Sequence, residues 1–150
     1  MLAEALIERA DLQRLIQRVK YRMEENAKVQ EGDEPTEKVE KLFSVYESLM
    51  TKLESLIIKI NKTNNQTPFE EITLAEAITK RDNLRSKIWT YNSVLDTASI
   101  KQDRYSRDEI KFVRCVDIKI LEKKIDYLSK IYRELDTKIQ RINWLAELLD

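Results

Sequence analysis

Histidine is absent from the chain, cysteine and glycine each occur once, and proline occurs twice. Without histidine the commonest general base is missing, and so are the glutamate and histidine di-iron site of ferritin-like bundles and most zinc catalysis. The lone thiol, Cys115, forms no intrachain disulfide. A reducing compartment, the cytoplasm, is the expected location. So few glycines and prolines leave little to interrupt a helix or to form tight β turns. Long apolar runs are also missing: the longest purely aliphatic one is Leu56, Ile57 and Ile58, against the roughly 20 residues that span a bilayer. The segment Met1 to Ala10 carries Glu4, Glu8 and Arg9 among its apolar residues, unlike a secretory signal, so export is not expected. An excess of one charge is lacking too, because 27 Lys and Arg balance 27 Asp and Glu. Neither nucleic acid nor a stable membrane association is expected, and no cofactor is implied.

What is present is periodic. Of 150 residues, 42% are hydrophobic and 36% charged, and the apolar ones recur at alternating steps of three and four. The first segment places Leu2, Ala5, Arg9, Leu12, Ile16, Val19 and Met23 on one stripe. The second continues with Val39, Leu42, Tyr46, Leu49, Leu53, Leu56 and Ile60, widened by Phe43, Met50 and Ile57. A third carries Leu74, Ala77, Arg81, Leu84, Ile88, Tyr91, Leu95 and Ala98, and a fourth runs from Ile118 through Ile125, Tyr132 and Ile139 to Leu149. Such stripes belong to helices packed lengthwise on one another. Helices are expected over 2–26, 37–62, 74–98 and 118–149. Thr36 after Pro35, the Thr73 to Glu76 capping box and Asp117 mark starts, and Asn61 to Thr67 marks a stop.

The first and third stripes echo each other: Leu2-Ala3-Glu4-Ala5 followed by Arg9 reappears as Leu74-Ala75-Glu76-Ala77 followed by Arg81. A repeat this long points to a duplicated supersecondary unit. The expected fold is mainly all-α: a single domain over 1–150, an antiparallel helical bundle or coiled coil of two tandem αα-hairpins, with repeat halves 1–66 and 73–150. The second connection is longer, and Ile110, Phe112, Arg114, Val116 and Ile118 alternate with polar residues apart from Val113. Residues 99–116 therefore hold either a short β-hairpin or an irregular helix start.

Three groups of side chains are candidates for chemistry. Arg9 and Arg81 occupy apolar stripes, where a charge needs a partner. They either build an anion site by pseudo-symmetry or set register through carboxylates on facing helices. The polar run around Arg104, Tyr105 and Arg107 either binds phosphate or stacks on a base, or else fastens the longer connection. Glu8 with Asp11, and Glu37 with Glu40, have the three-residue spacing that puts two acids on one helix face; they are metal-ligand candidates against the alternative of a solvated surface. No catalytic set emerges from these residues. Trp89 and Trp144 read as packing residues, and Cys115 as a half-buried thiol.

The segments LAEALIERADL (Leu2 to Leu12), NAKVQEGDEP (Asn26 to Pro35), INKTN (Ile60 to Asn64), Leu74 to Asp82, QDRYS (Gln102 to Ser106) and Asn143 with Trp144 resemble a family of small bacterial proteins of unknown function. Some members carry the label septicolysin. The label implies a membrane-active cytolysin, whereas the residues favour a non-enzymatic, self-associating scaffold or partner-binding module. A metal- or phosphate-directed all-α enzyme is the remaining alternative. A homo-oligomer joined through the helical stripes is the expected assembly, and a protein partner is a further option.

Overall fold

The structure is a computed structural model and describes residues 1–99 and 112–150. The elements are α1 (Leu2–Asn26), α2 (Val39–Gln66), β1 (Pro68–Phe69), β2 (Ile72–Thr73), α3 (Leu74–Ala98) and α4 (Ile118–Leu145). Every position at the strict 3,4 steps of the four stripes is at least partly covered, as that spacing requires when one face of each helix meets a neighbour. The all-α bundle is the observed architecture. The chain divides into two compact units, Met1–Ala75 with Gln140–Asp150, and Glu76–Ile139.

In the first unit α1 and α2 form an antiparallel hairpin. Ile16 and Val19 of α1 meet Leu49 and Leu53 of α2, with Leu12, Met23, Tyr46 and Ile57 packed around them. The turn that joins them needs the only glycine: Gly32 has φ +91°, and the Asp33 N–H donates to the Gln30 carbonyl at 3.0 Å. That is the position in a four-residue turn where a Cβ is unfavourable. Arg22 then clasps Glu37 through Nε to Oε2 at 2.8 Å and through a second guanidinium contact. The Glu37 N–H donates to Asn26 Oδ1 at 2.9 Å.

Helix α2 departs from expectation at both ends. It starts from Lys38 without a side-chain cap rather than from Thr36, and it ends at Gln66, four residues past the expected 62 though still within the Asn61 to Thr67 stop segment. Thr63 and Thr67 lie where the stripe continues past Ile60, and their hydroxyls donate back to the carbonyls of Lys59 and Thr63, each at 2.8 Å. The stop is imposed by Pro68, whose ring excludes helical geometry at the preceding residue. Thr67 accordingly has φ −77° and ψ 121°. The joint between the two halves is thus a two-residue hairpin, with Pro68 opposite Thr73 and Phe69 opposite Ile72. Phe69 is buried, and the Leu74 N–H closes the loop on the Thr67 carbonyl at 2.9 Å.

Helix α4 ends at Leu145, four residues short of the expected 149. Long-range bonds take the chain away: the Leu149 N–H donates to Thr63 Oγ1 at 3.0 Å, and Asp150 meets Lys59 at 2.7 Å and Lys62. The Leu2 N–H donates to the Ala146 carbonyl at 2.9 Å, so the start of α1 and the end of α4 lie together. Asp117 caps α4 as anticipated, accepting from the Ile120 N–H at 3.1 Å. The strand expectation at 99–116 falls mostly outside the described residues. Ser99 and Phe112 to Val116, which are described, carry no strand.

In the second unit α3 and α4 also run antiparallel, joined by long polar side chains. Arg81 reaches Asp136, Arg85 donates to the Tyr132 hydroxyl at 3.0 Å, and Lys124 lies over the Tyr91 ring at 4.7 Å. Ala77, Ile125 and Ile139 are buried.

Candidate functional site

Arg9 and Arg81 have different surroundings. Arg81 donates through Nη1 to Asp136 at 3.1 Å and through Nε and Nη2 to Asp82 at 3.0 and 2.9 Å. Two carboxylates neutralise a guanidinium that is largely shielded from water, the arrangement that makes a buried cation tolerable. Arg9 has no hydrogen bond or ion pair among the described residues, and its Nε is buried without an acceptor. Arg81 is therefore paired within its own unit. Arg9 is left with an unmet demand.

Two further polar atoms share that condition, the Oδ1 atoms of Asn64 and Asn143. Both residues belong to the same unit as Arg9, and Asn143 is only 4% exposed. Its Nδ2 makes one long contact, 3.5 Å to Gln140 Oε1. Sequence reasoning singled out Arg9 and overlooked the asparagines. The available signal was the 3,4 step itself, which carried past Ile60 lands on buried Thr63 beside Asn64.

The paired acids are dispersed in function. Asp11 pairs with Arg14 three residues away, Glu37 is held by Arg22, and Glu8 and Glu40 lie exposed. No group of three or more Cys, Asp or Glu side chains able to hold a metal occurs among the described residues. The hydrogen bond from Arg22 holds the Glu37 carboxyl below its ordinary value, and burial opposes the shift. Arg104, Tyr105 and Arg107 lie outside the described residues. Cys115 is exposed rather than half-buried, because Phe112 to Val116 lie outside any helix. Trp89 is 74% exposed and Trp144 is exposed as well, so neither is a packing residue: each lies off the 3,4 stripe that its own helix buries.

Exposed apolar residues also gather on α2. Phe43 is 51% exposed, Met50 40% and Ile58 60%. Met50 and Ile58, with Tyr46, Glu47, Glu54 and Ile57, line a groove of ≈ 720 Å³. The widened stripe read from the sequence is therefore divided: Ile57 is partly covered, and Phe43 and Met50 face solvent.

Fold and side chains together define an all-α helical-bundle protein with a short β-hairpin at its central joint. The chain belongs to a family of unknown function, DUF6847, whose model matches residues 9–148. It is similar to a solved structure of a conserved protein of unknown function from Corynebacterium diphtheriae, with 42% sequence identity and a TM-score of 0.87 over 99% of this chain and 97% of that one. No curated protein matches. The family's description carries no activity, and the septicolysin label does not appear in it. No helix among the described residues is long and apolar enough to cross a membrane.

Proposed function

We propose that the protein is a self-associating helical module that acts by binding rather than by catalysis, and that a second copy of the chain covers the outward face of α2. The single observation that carries this reading is the solvent-facing strip Phe43, Met50 and Ile58, interleaved with Glu47 and Glu54. Apolar residues at helical spacing beside charges are the pattern of a helix awaiting a partner helix.

The charges select the partner's face. Two α2 helices crossing antiparallel at Met50 would set Glu47 against Glu54, like against like. Helix α4 offers the complement, because Ile120 and Tyr127 are exposed and Lys123 and Lys130 interleave with them on one face. Acid, apolar and acid on α2 match base, apolar and base on α4 of another copy. The contact is heterologous, so repeated from copy to copy it closes as a ring or runs on as a filament. The exposed thiol of Cys115 suits a reducing compartment and supports the cytoplasm as the place of work.

Light scattering across a concentration series tests the reading. The native chain is expected to associate, Met50→Glu to lower the association at least tenfold, and Lys123→Glu to weaken it by less. Combining Glu47→Lys with Lys123→Glu restores part of the loss. A strict monomer at every concentration would overturn the proposal.

A further inference from the structure

We propose that α2 of one copy docks across both helices of another copy's second hairpin, with α3 supplying part of the receiving surface. The inference rests on the self-association of α2 with a second copy and adds a surface on α3 that α4 alone does not provide. On α3, Lys87, Tyr91 and Val94 follow steps of four and three and so share one side. On α4, Ile120, Lys124, Tyr127 and Ile131 do the same. One contact joins the two rows: Lys124 Nζ lies 4.7 Å from the centre of the Tyr91 ring. The rows therefore form a single surface, on which Val94, Ile120 and Tyr127 are exposed and Tyr91 and Ile131 partly covered.

Charge selects the occupant of this surface. Lys87 and Lys124 are exposed and form no ion pair among the described residues. Lys123 and Lys130 border the α4 row, and Lys130 has only an exposed pair with Glu134 at 3.9 Å. Asp82 and Asp96 fall on the other side of α3, where Arg81 holds Asp82. Two copies of this face would set lysine against lysine, which disfavours a second hairpin as the partner. The partner must be one helix, apolar and acidic. The outward strip of α2 has that character: Phe43, Met50 and Ile58 are exposed, and Glu40, Glu47 and Glu54 recur beside them. The two units carry the same opposition, since residues 76–139 hold 15 basic and 11 acidic side chains and the rest of the chain 12 and 16. Opposite signs favour a head-to-tail contact between copies.

The size of the contact calls for both helices. From Phe43 to Ile58 the strip is roughly 24 Å long at about 1.5 Å per residue. Resting on one neighbour over that length, α2 would cover much less than the roughly 800 Å² per partner of a specific interface, and resting on two it covers about twice as much.

Sedimentation of the full chain over a concentration series tests the assignment. Val94→Glu is expected to weaken association about tenfold and Lys87→Glu about threefold, each melting within about 2 °C of the native chain. Trp89→Glu, on the other side of α3, leaves association unchanged. Mixing Met50→Glu, defective on α2, with Val94→Glu, defective on the receiving surface, restores one intact contact per pair, so the mixture stops at dimers that neither variant forms alone. Added salt weakens the native assembly, as opposite charges require. Should Val94→Glu melt low, Lys87→Glu carries the test. A native chain that stays monomeric overturns this inference together with the self-association of α2. A native chain that associates while Lys87→Glu and Val94→Glu match it overturns only the part given to α3. Failure of the mixed variants to pair overturns the head-to-tail contact. Binding of a monomeric native chain to phosphatidylserine vesicles, lost in Val94→Glu, would assign the face to an anionic membrane and overturn the proposal.

Discussion

The two helical hairpins share one pattern of spacing and hold themselves together differently. In the first, Ile16, Val19, Leu49 and Leu53 form a dry cluster between α1 and α2. In the second, α3 and α4 are linked by Arg81 to Asp136, Arg85 to Tyr132 and Lys124 over Tyr91. Stripe periodicity decides which face of a helix meets its neighbour. The side chains on that face decide whether the contact is a core or a lattice of polar links. A shared spacing pattern can therefore serve two hairpins whose means of cohesion differ. The arginines show the same divergence at one position, paired in one half and unpaired in the other.

Truncating an apolar residue in each hairpin tests the contrast most strongly. Leu53→Ala opens a cavity in the first cluster and is expected to cost about 3 kcal/mol in urea denaturation. Leu84→Ala, on the partly covered stripe of α3, is expected to cost less, about 2 kcal/mol, since part of that residue stays in contact with water in the folded chain. Equal losses would break the comparison.

The polar anchors give a smaller effect. Thr63 is fully buried, and its hydroxyl both donates to the Lys59 carbonyl and accepts from the Leu149 N–H. Thr63→Val strands the Leu149 N–H and is expected to lower stability by about 2 kcal/mol. Faster hydrogen exchange at Leu149 would locate the damage, and unchanged exchange there would show that the anchor is not limiting.

Acid separates the hairpins more gently. The Glu37 carboxyl is lowered from its ordinary value of 4.5, chiefly by the hydrogen bond from Arg22. A depressed folded-state value means that the clasp contributes stability above the ordinary carboxylate range and loses it as pH falls through that range toward the folded value. Melting curves should show the native chain losing more stability than Glu37→Gln between neutral pH and strong acid. Arg85 bonds the Tyr132 hydroxyl and lies 3.9 Å from an exposed Asp82 carboxylate oxygen, a long surface pair worth little, so Arg85→Met is expected to change the acid dependence less than Glu37→Gln does. The smallest effect belongs to exposed Trp89, where Trp89→Ser is expected to change stability by no more than about 0.5 kcal/mol.

Much of this was legible in the sequence, and the reasons are local. The bounds of α1 and α3 followed from unbroken 3,4 steps, and the start of α4 from Asp117, a short polar residue able to accept a helix N–H. The end of α2 fell inside the Asn61 to Thr67 stretch read as a stop but four residues past 62, because Thr63 and Thr67 bond back into the helix and Pro68 sets the limit. The hairpin at Pro68 to Thr73 is too short for any alternation to register. The candidate site was half visible: Arg9 stands out as a charge in an apolar stripe, but Asn64 and Asn143 look like ordinary polar residues until their neighbours bury them.

The sequence by itself determined that the chain is helical, where four stripes lie, and that a pair of arginines occupies matching places. Those properties depend on periodicity and propensity, which act over a few residues. Only tertiary structure decided that Arg81 finds Asp136, 55 residues on, that Arg9 finds no acid among the described residues, and that the last residues leave α4 to bond Thr63. Each outcome depends on which distant side chain arrives within hydrogen-bond range. Spacing along a chain does not encode that distance.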